Sequence, residues 1–354
     1  MVQNLLGKVE HQYVYVPLKK HRNIGKNRLY DSRVSFFYSD ILSSSLRILY
    51  FRKIKKIYND AIKKIDFRNI DLIHSHTLFS SGGAAYLLNK KYGVPYVITI
   101  RKTDFKLFFK YFIHLRPFSY KILLNSSKII LLSPKYLEIL RRKVPTRYLE
   151  LFNRKAISVP NGIDDFWLSN LNKNRKIISG TLKLLYVGEL NKNKNVETVI
   201  KLTKYLNRRK LPTSLVIVGE GVKKNRIIKE ERKNTFIDFY PKIENKSTLL
   251  NLYRVSDIFV MPSYWETFGL VYGEAMSQGV PVIYSKGQGI DGYFEEGEVG
   301  YSVNPRDVKD MADKIQLILD NYSTISKNCI KNVQQFKWET IAKTYADIYK
   351  ECIK

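Results

Sequence analysis

Short apolar segments that suit β-strands alternate with helical segments along most of this chain. Each apolar segment is rich in Val, Ile and Tyr and is bounded by Gly, Pro, Asn or charged residues. Such alternation is typical of parallel sheets that are covered by helices on both faces. The predicted strands are residues 13–16, 72–76, 96–100, 129–133, 156–159, 182–187, 214–218, 235–239, 258–261, 281–284 and 300–303.

A break in this alternation divides the chain near its middle. Residues 170–180 read NLNKNRKIISG, a polar and basic stretch that ends in Gly, which is typical of a linker. The turn sequence Val-Pro-Asn-Gly-Ile-Asp precedes it at 159–164. The sequence therefore predicts an α/β protein with domains at 1–165 and 166–332, followed by a C-terminal helix at 333–354. One large barrel is the alternative, and the break disfavours it.

The charge balance restricts the partners of the protein. Lys and Arg number 61 against 32 Asp and Glu, so the formal net charge is +29, which favours anionic partners. Residues 101–155 alone contain 14 Lys or Arg and three acidic residues, with Phe and Tyr interleaved. This composition suits an anionic membrane surface, and a solvated basic face is the alternative. No nucleic-acid-binding motif is present, so we expect no nucleic-acid partner.

The cysteines and histidines predict neither a disulfide framework nor a metal site. Cys329 and Cys352 fit no zinc-binding spacing. His74 and His76 have no cysteine or carboxylate ligand close to them in sequence. No apolar run reaches the roughly 18 residues of a membrane span, and the first residues do not have the plan of a signal peptide. We expect a cytoplasmic protein that lies on the inner face of the membrane.

The most informative stretch, residues 263–285, reads SYWETFGLVYGEAMSQGVPVIYS. It follows a predicted strand and predicts a helix that begins near Gly269 and stops at Gly279. Ligands bind at such strand-to-helix junctions of parallel sheets. The free amides of Phe268, Gly269 and Leu270 would point out of the helix N-terminus, where they favour an anion.

Two glutamates flank this predicted helix start. Glu266 precedes the helix and Glu274 lies inside it, so their carboxylates would be about 10 Å apart at a rise of 1.5 Å per residue plus a loop. Carboxylates at that separation could each bind a separate pair of sugar hydroxyls. The alternative is a surface helix with two solvated glutamates.

These residues resemble a known signature. The Glu266–Glu274 spacing, with Phe-Gly-Leu between them and Gly-Val-Pro-Val after them, resembles the signature of retaining nucleotide-sugar glycosyltransferases of the GT-B type, in the GT4 group. Residues 100–105 look most like the bacterial capsule and O-antigen enzymes of that group. Further matching stretches, in the order of the family, are DLIHSH at 71–76, VPNGID at 159–164, YVGELNKNKN at 186–195 and FKW at 336–338.

The resemblance implies a GT-B fold, in which two Rossmann-like parallel-sheet domains face a central cleft. The second domain would bind the nucleotide-sugar and the first the acceptor, and the C-terminal helix would return to the first. By comparison with the family, we expect the first strand and its glycine-rich loop to be absent before Met1. The implied reaction is transfer of a sugar from a UDP- or GDP-sugar to a glycan acceptor, often lipid-linked, in surface polysaccharide biosynthesis. No metal or cofactor is implied.

The resemblance also implies roles for single residues. Glu274 would hold the ribose hydroxyls, and Glu266 would contact the donor sugar near C3. The amides of residues 268–270 would hold the sugar and the diphosphate, beside Gly188. Lys194 would neutralise the diphosphate leaving group. The residues implied in catalysis are Glu266, Lys194 and Arg101, and those implied on the acceptor side are His76, Arg101 and Asp104.

Two positions depart from the family pattern. Glu189 stands where the family usually has Arg, so Lys194 acts alone or another cation such as Lys192 assists it. Arg101 stands where the family often has His, and a guanidinium can hold an anion but is no base near pH 7. One alternative is therefore a relative that binds nucleotide or glycan without turnover. An epimerase or phosphorylase of the same fold is another.

Overall fold

The computed structural model describes most of the chain. The described residues are 1–19, 24–25, 28–47, 49–101, 104, 111–172, 178 and 180–353. Part of the predicted linker, residues 173–177 and 179, lies outside them. So do three basic and three aromatic residues of the 101–155 segment, namely Lys102, Lys106, Lys110, Phe105, Phe108 and Phe109.

The chain forms two compact units. The first contains Met1–Leu132, Leu137–Val159 and Glu339–Lys354, and the second contains Ser133–Tyr136 and Pro160–Trp338. The chain thus changes unit at Pro160 and at Glu339, a few residues from the predicted divisions after 165 and 332. The short segment Ser133–Tyr136 groups with the second unit, and no feature of the sequence predicted this grouping.

The first unit contains two parallel sheets. One has two strands, and the other has four in the order β3-β4-β5-β6. The strands are β1 (Gln12–Leu18), β2 (Val34–Asp40), β3 (Ile73–Ser75), β4 (Tyr96–Ile100), β5 (Lys128–Leu131) and β6 (Ala156–Ser158). The helices are α1 (Tyr50–Lys64), α2 (Gly82–Tyr92), α3 (Arg116–Asn125), α4 (Pro134–Arg141) and α5 (Thr146–Lys155). The first three residues of α4 group with the second unit.

The spacing of hydrophobic residues explains which segments of the first unit form strands and which form helices. Every residue of β4 is buried, as expected for an inner strand of a parallel sheet. In α1 the buried residues Tyr50, Ile54, Ile57 and Ala61 recur at helical spacing. Strand β2 was not predicted. It contains Val, Phe and Tyr, and it pairs in parallel with β1.

The second unit is built on one six-stranded parallel sheet in the order β12-β11-β10-β7-β8-β9. Its strands are β7 (Leu182–Val187), β8 (Thr213–Val218), β9 (Ile237–Tyr240), β10 (Ile258–Val260), β11 (Val282–Ser285) and β12 (Gly300–Val303). Its helices are α6 (Asp165–Ser169), α7 (Val196–Arg208), α8 (Lys224–Lys233), α9 (Lys246–Val255), α10 (Leu270–Ser277), α11 (Val308–Asp320) and α12 (Tyr322–Asn332). All predicted strands are present, and the α/β class with parallel sheets is confirmed.

The last helix, α13 (Trp338–Ile353), starts later than predicted because a short 3₁₀ turn, Val333–Phe336, precedes it. It packs on the rest of the first unit through a partly buried histidine. The His74 ring forms hydrogen bonds with Tyr349 of α13 through Nδ1 (2.6 Å) and with Thr99 of β4 through Nε2 (2.7 Å). The motif histidine His74 therefore fastens the helix to the sheet.

The carboxyl ends of β7 and β8 approach closely. The amide of Gly188 donates to the carbonyl of Val218 at 3.0 Å. A Cβ atom on Gly219 would overlap the carbonyl oxygen of Gly188, which is backbone and cannot move aside. Glycine at 219 is therefore required for these two strand ends to lie side by side.

We expect Gly219→Ala to destabilise the second unit by about 3 kcal/mol or more, because overpacking against backbone cannot relax. Thermal unfolding followed by circular dichroism measures this. Gly180→Ala is the control, since its Cβ would meet no atom within 4 Å and only its φ of +73° would be strained, at about 1 kcal/mol. Equal losses in the two variants would contradict the close approach.

Candidate active site

A loop and a helix follow β10 at the carboxyl edge of the six-stranded sheet. Gly269 precedes α10 with a φ of +81°, and its Cβ would lie 2.5 Å from the ring of Tyr272. Gly279, with a φ of +69°, follows the other end of the helix. The predicted start and stop of the helix are confirmed. Both glycines occupy the left-handed region that other residues rarely adopt.

The N-terminus of α10 presents unused hydrogen-bond donors. The backbone amides of Phe268, Gly269 and Leu270 have no acceptor among the residues that the structure describes. The Phe268 ring is buried and packs edge-on against Phe336 at 5.0 Å, so this residue would contribute to a site only through its backbone. Such a terminus attracts anions.

Glu266 lies in the loop before α10 and is only 8% exposed. One carboxylate oxygen accepts a hydrogen bond from Lys194 Nζ, and the other accepts from the amide of Thr267 at 3.1 Å. The amide of Glu266 donates to Oε1 of Gln288 at 3.1 Å. A buried carboxylate needs such partners, and the structure supplies them to both the side chain and the backbone.

Lys194 reaches Glu266 from the loop after β7. The next residue, Asn195, has a φ of +59° and is buried. Its side-chain amide donates to the carbonyls of Pro262 (3.0 Å) and Pro305 (2.7 Å). These bonds hold the loop against the ends of β10 and β12, and so hold Lys194 in place. Asn195 was not predicted as a site residue, although it lies inside the matching 186–195 stretch.

The loop also contains the departures from the family pattern. Lys192 is exposed, and no ion pair of it occurs within the described ranges. The Glu189 side chain is exposed too, while its carbonyl accepts a hydrogen bond from Tyr186 at 3.1 Å. The structure therefore brings Lys194, rather than Lys192, to the carboxylate of Glu266.

Glu274 lies on α10 in different surroundings. Its carboxylate accepts a hydrogen bond from the buried hydroxyl of Tyr253 at 3.1 Å. Burial raises the pKa of Glu274 to about 7, although the hydrogen bond from Tyr253 lowers this pKa. The negative charge of Asp164 raises the same pKa further, and the positive charge of Lys246 lowers it. Asp164 and Lys246 form an ion pair at 2.6 Å. Tyr253 was not predicted, because its contact with Glu274 joins two helices.

The three predicted acceptor-side residues lie together in the first unit. The buried carboxylate of Asp104 accepts hydrogen bonds from the amides of Leu78 and Phe79, both at 3.2 Å, and of Arg101 at 2.9 Å. The exposed Arg101 donates through Nε to the carbonyl of His76 at 3.0 Å. Asp104 therefore holds this turn together, and the role of all three toward an acceptor stays a prediction.

Within the ranges given above, no group of three or more His, Cys, Asp or Glu side chains is arranged to hold a metal ion. No helix among those residues is both long and apolar enough to cross a bilayer.

The two units correspond to two protein families. Residues 14–165 match Glycosyltransferase Family 4, and residues 169–336 match Glycosyl transferases group 1. The two matches together take up most of the chain. The chain belongs to the GT4-type glycosyltransferases.

Among curated relatives, the chain matches parts of the following proteins. It is 32% identical to the glycogen synthase of Mycobacterium tuberculosis over 182 residues, which are 49% of this chain and 44% of that protein. It is 28% identical to the capsular polysaccharide biosynthesis glycosyltransferase CapM of Staphylococcus aureus, over 60% of this chain and 61% of that one. The match thus spans less than half of the glycogen synthase.

Solved structures confirm the fold class. Sucrose-phosphate synthase from Thermosynechococcus elongatus matches with a TM-score of 0.73 at 21% identity, over 98% of this chain and 90% of that one. Anabaena HepE, solved with UDP and glucose, matches with a TM-score of 0.62 at 17% identity, over 89% and 85%. At these identities the likeness shows the GT-B fold alone.

The raised pKa of Glu274 makes stability depend on pH. The unfolded carboxyl titrates near 4.5 and the folded one near 7, so the folded state binds more protons between these values and stability falls as pH rises through this window. Glu274→Gln, which cannot ionise, should therefore gain stability relative to wild type from pH 5 to pH 8. The expected gain is on the order of 2–3 kcal/mol.

Urea unfolding at several pH values measures this gain. Glu295→Gln is the matched control, because Glu295 is an exposed glutamate of the same unit and its replacement should leave the pH dependence unchanged. A pH-independent difference between Glu274→Gln and wild type would contradict the burial of an ionisable carboxyl.

Proposed function

We propose that this chain is a retaining glycosyltransferase that moves a sugar from a UDP- or GDP-sugar to a lipid-linked glycan acceptor in the synthesis of surface polysaccharide. The observation that carries the proposal is the contact between Lys194 and the buried Glu266 beside the free amides of α10. One cation, a set of free amides and a fixed carboxylate there match the diphosphate and the hydroxyls of a nucleotide-sugar.

The site suits a reaction in which negative charge grows on the diphosphate. As the bond between the sugar carbon C1 and the diphosphate breaks, Lys194 and the helix amides stabilise the charge of the leaving group. The acceptor hydroxyl forms the new bond to C1 on the same face, and its proton passes to an oxygen of the departing phosphate. With Glu189 in place of the family's usual arginine, Lys194 is the cation that serves this role.

Relatives support the chemical class of both substrates. CapM is named for capsular polysaccharide biosynthesis, and HepE was solved with UDP and glucose. A nucleoside diphosphate sugar as donor and a growing polysaccharide as acceptor are consistent with both.

Exposed basic and apolar groups on the first unit support a cytoplasmic protein bound to the inner face of the membrane. Arg141, Arg142 and Lys143 are exposed at the end of α4. Tyr111 and Ile113 are also exposed, and side chains of this kind insert into the headgroup region of a bilayer. A lipid-linked acceptor would be met at that surface.

A second candidate function is nucleotide or glycan binding without turnover. Two observations favour it, namely the exposed carboxylate of Glu189 in the phosphate-facing loop and Arg101 in place of histidine. Calorimetric titration of the wild-type protein with UDP and GDP, followed by assays of UDP-glucose and GDP-mannose consumption, separates the two candidates. Binding without consumption of any nucleotide-sugar supports the second, and absence of binding to both nucleotides overturns the first and leaves only glycan binding under the second.

Replacing Lys194 tests the proposed leaving-group role. Lys194→Ala should lower kcat for donor consumption by about 100-fold or more, because charge develops on the diphosphate as the bond breaks. Lys192→Ala is the matched control, since it removes an exposed lysine two residues away in the same loop and should change kcat little. Wild-type kcat in Lys194→Ala, or equal losses in both variants, would refute the assignment.

Vesicle binding tests the membrane proposal. The protein should co-sediment with vesicles of phosphatidylglycerol and phosphatidylcholine at low salt, bind phosphatidylcholine alone poorly, and dissociate as salt rises. Each basic residue near an anionic surface contributes about 1 kcal/mol, so replacing Arg141, Arg142 and Lys143 with Glu should weaken binding by about 100-fold or more. UDP affinity should stay unchanged, because the donor site belongs to the second unit.

The matched control reverses the same amount of charge elsewhere. Lys229, Arg232 and Lys233 are exposed on α8 of the second unit, and replacing them with Glu should weaken vesicle binding much less. Equal losses of vesicle affinity in the two triple variants would show that binding depends on net charge and not on the α4 residues. If the wild-type protein does not bind anionic vesicles at low salt, the membrane part of the proposal is wrong.

A further inference from the structure

The backbone of Glu266 is held by two side chains for which the sequence motif gives no role. Gln288 accepts the hydrogen bond from the amide of Glu266 through Oε1, at 3.1 Å. The hydroxyl of Tyr136 contacts the carbonyl oxygen of Glu266 and also lies 2.9 Å from the same Oε1 of Gln288. Together these contacts form a closed hydrogen-bonded network that joins the backbone of Glu266 to Gln288 and Tyr136.

The orientation of Gln288 follows from these contacts. Because the amide of Glu266 is a donor, the atom of Gln288 that faces it must be the oxygen Oε1. The tyrosine hydroxyl faces two acceptors, the carbonyl of Glu266 and Oε1, so its single proton serves both. Burial raises the pKa of Tyr136, which keeps that proton on the hydroxyl.

The loop after β11 is shaped to deliver Gln288. The next residue, Gly289, has a φ of +58°, and its amide donates to the carbonyl of Glu266 at 3.0 Å. A Cβ at 289 would lie 2.9 Å from the carbonyl oxygen of Phe268 and 3.1 Å from Cγ of Glu266. Glycine at this position therefore lets the loop close over the glutamate.

Burial strengthens the hydrogen bonds around the backbone of Glu266. Tyr136 is 1% exposed, and it belongs to the short segment Ser133–Tyr136 that groups with the second unit. Hydrogen bonds in such low-dielectric surroundings are electrostatically stronger than in water, and leaving one unmade costs more. The backbone of Glu266 is thus fixed independently of the side-chain contact with Lys194.

We propose that Tyr136 and Gln288 form a clamp on the Glu266 backbone, and that Tyr136 is a positioning residue that aims the Glu266 carboxylate at the sugar of the donor. The second part rests on the proposed function. The clamp itself rests only on the geometry. The clamp would not contact the nucleotide, so its loss should affect turnover and leave nucleotide affinity intact.

Tyr136→Phe removes the hydroxyl and keeps the ring. Tyr96→Phe is the matched control, because the Tyr96 hydroxyl is also buried and donates to a backbone carbonyl, that of Ile122 at 2.6 Å, in the first unit. Gln288→Ala tests the other half of the clamp. If Gln288→Ala does not fold, Tyr136→Phe still tests the clamp, since it removes only the hydroxyl oxygen.

Hydrogen exchange tests the clamp on the full chain. The amides of Glu266 and Gly289 are the reporters, because one donates to Gln288 and the other to the carbonyl that Tyr136 contacts. Tyr136→Phe should speed their exchange several-fold, up to about tenfold, and Tyr96→Phe should not. Unchanged exchange in Tyr136→Phe would overturn the clamp.

Kinetics tests the positioning role. With the nucleotide-sugar that the wild type consumes, Tyr136→Phe should lower kcat by about tenfold or more while the Kd for UDP or GDP stays constant, and Tyr96→Phe should keep wild-type kcat. Faster exchange with unchanged kcat would overturn the positioning role. A wild type that binds neither nucleotide removes the proposed function and the positioning role together, and exchange alone then decides whether the clamp exists.

Discussion

The contact between Lys194 and Glu266 is the interaction on which the second unit's site depends. These residues are 72 positions apart, and they meet because β7 and β10 are neighbours in a parallel sheet, so that the loops after both strands leave the same edge. A buried carboxylate without a partner would be strongly destabilising. The left-handed backbone of Asn195 and its bonds to Pro262 and Pro305 serve this contact, because they fix the loop that carries the lysine.

The two glutamates of the motif are distinguished by their surroundings. Glu266 faces a cation and one backbone amide, whereas Glu274 is partly buried against a tyrosine hydroxyl and its pKa is raised to about 7. One carboxylate is thus held by charge, and the other titrates near neutral pH. A ribose diol that donates hydrogen bonds to Glu274 would favour its ionised form, so nucleotide binding and proton release at Glu274 should be linked.

Local patterns predicted much of this structure, and long-range contacts account for what they missed. The strands followed from runs of apolar residues, and the ends of α10 followed from Gly269 and Gly279, because these signals lie within a few residues. Tyr136 is 130 residues from Glu266, and no spacing rule connects them. The acceptor-side role of Asp104, which the family resemblance implies, stays a prediction. The contacts of its carboxylate with three backbone amides could not be predicted from the motif.

Under the proposed function, Glu189 in place of the arginine that the resemblance implies leaves Lys194 as the cation for the diphosphate. Lys194 already contacts the carboxylate of Glu266, so an incoming diphosphate competes with that carboxylate for a single ammonium group. If the lysine turned toward the diphosphate, the Glu266 carboxylate would lose Lys194 and keep the Thr267 amide at the moment when, under the proposed function, it holds the sugar. Contacts to its backbone are unaffected by this exchange, because Gln288, Gly289 and Tyr136 bind the peptide groups rather than the carboxylate. A site with one cation therefore depends more on a clamped backbone than a site with two.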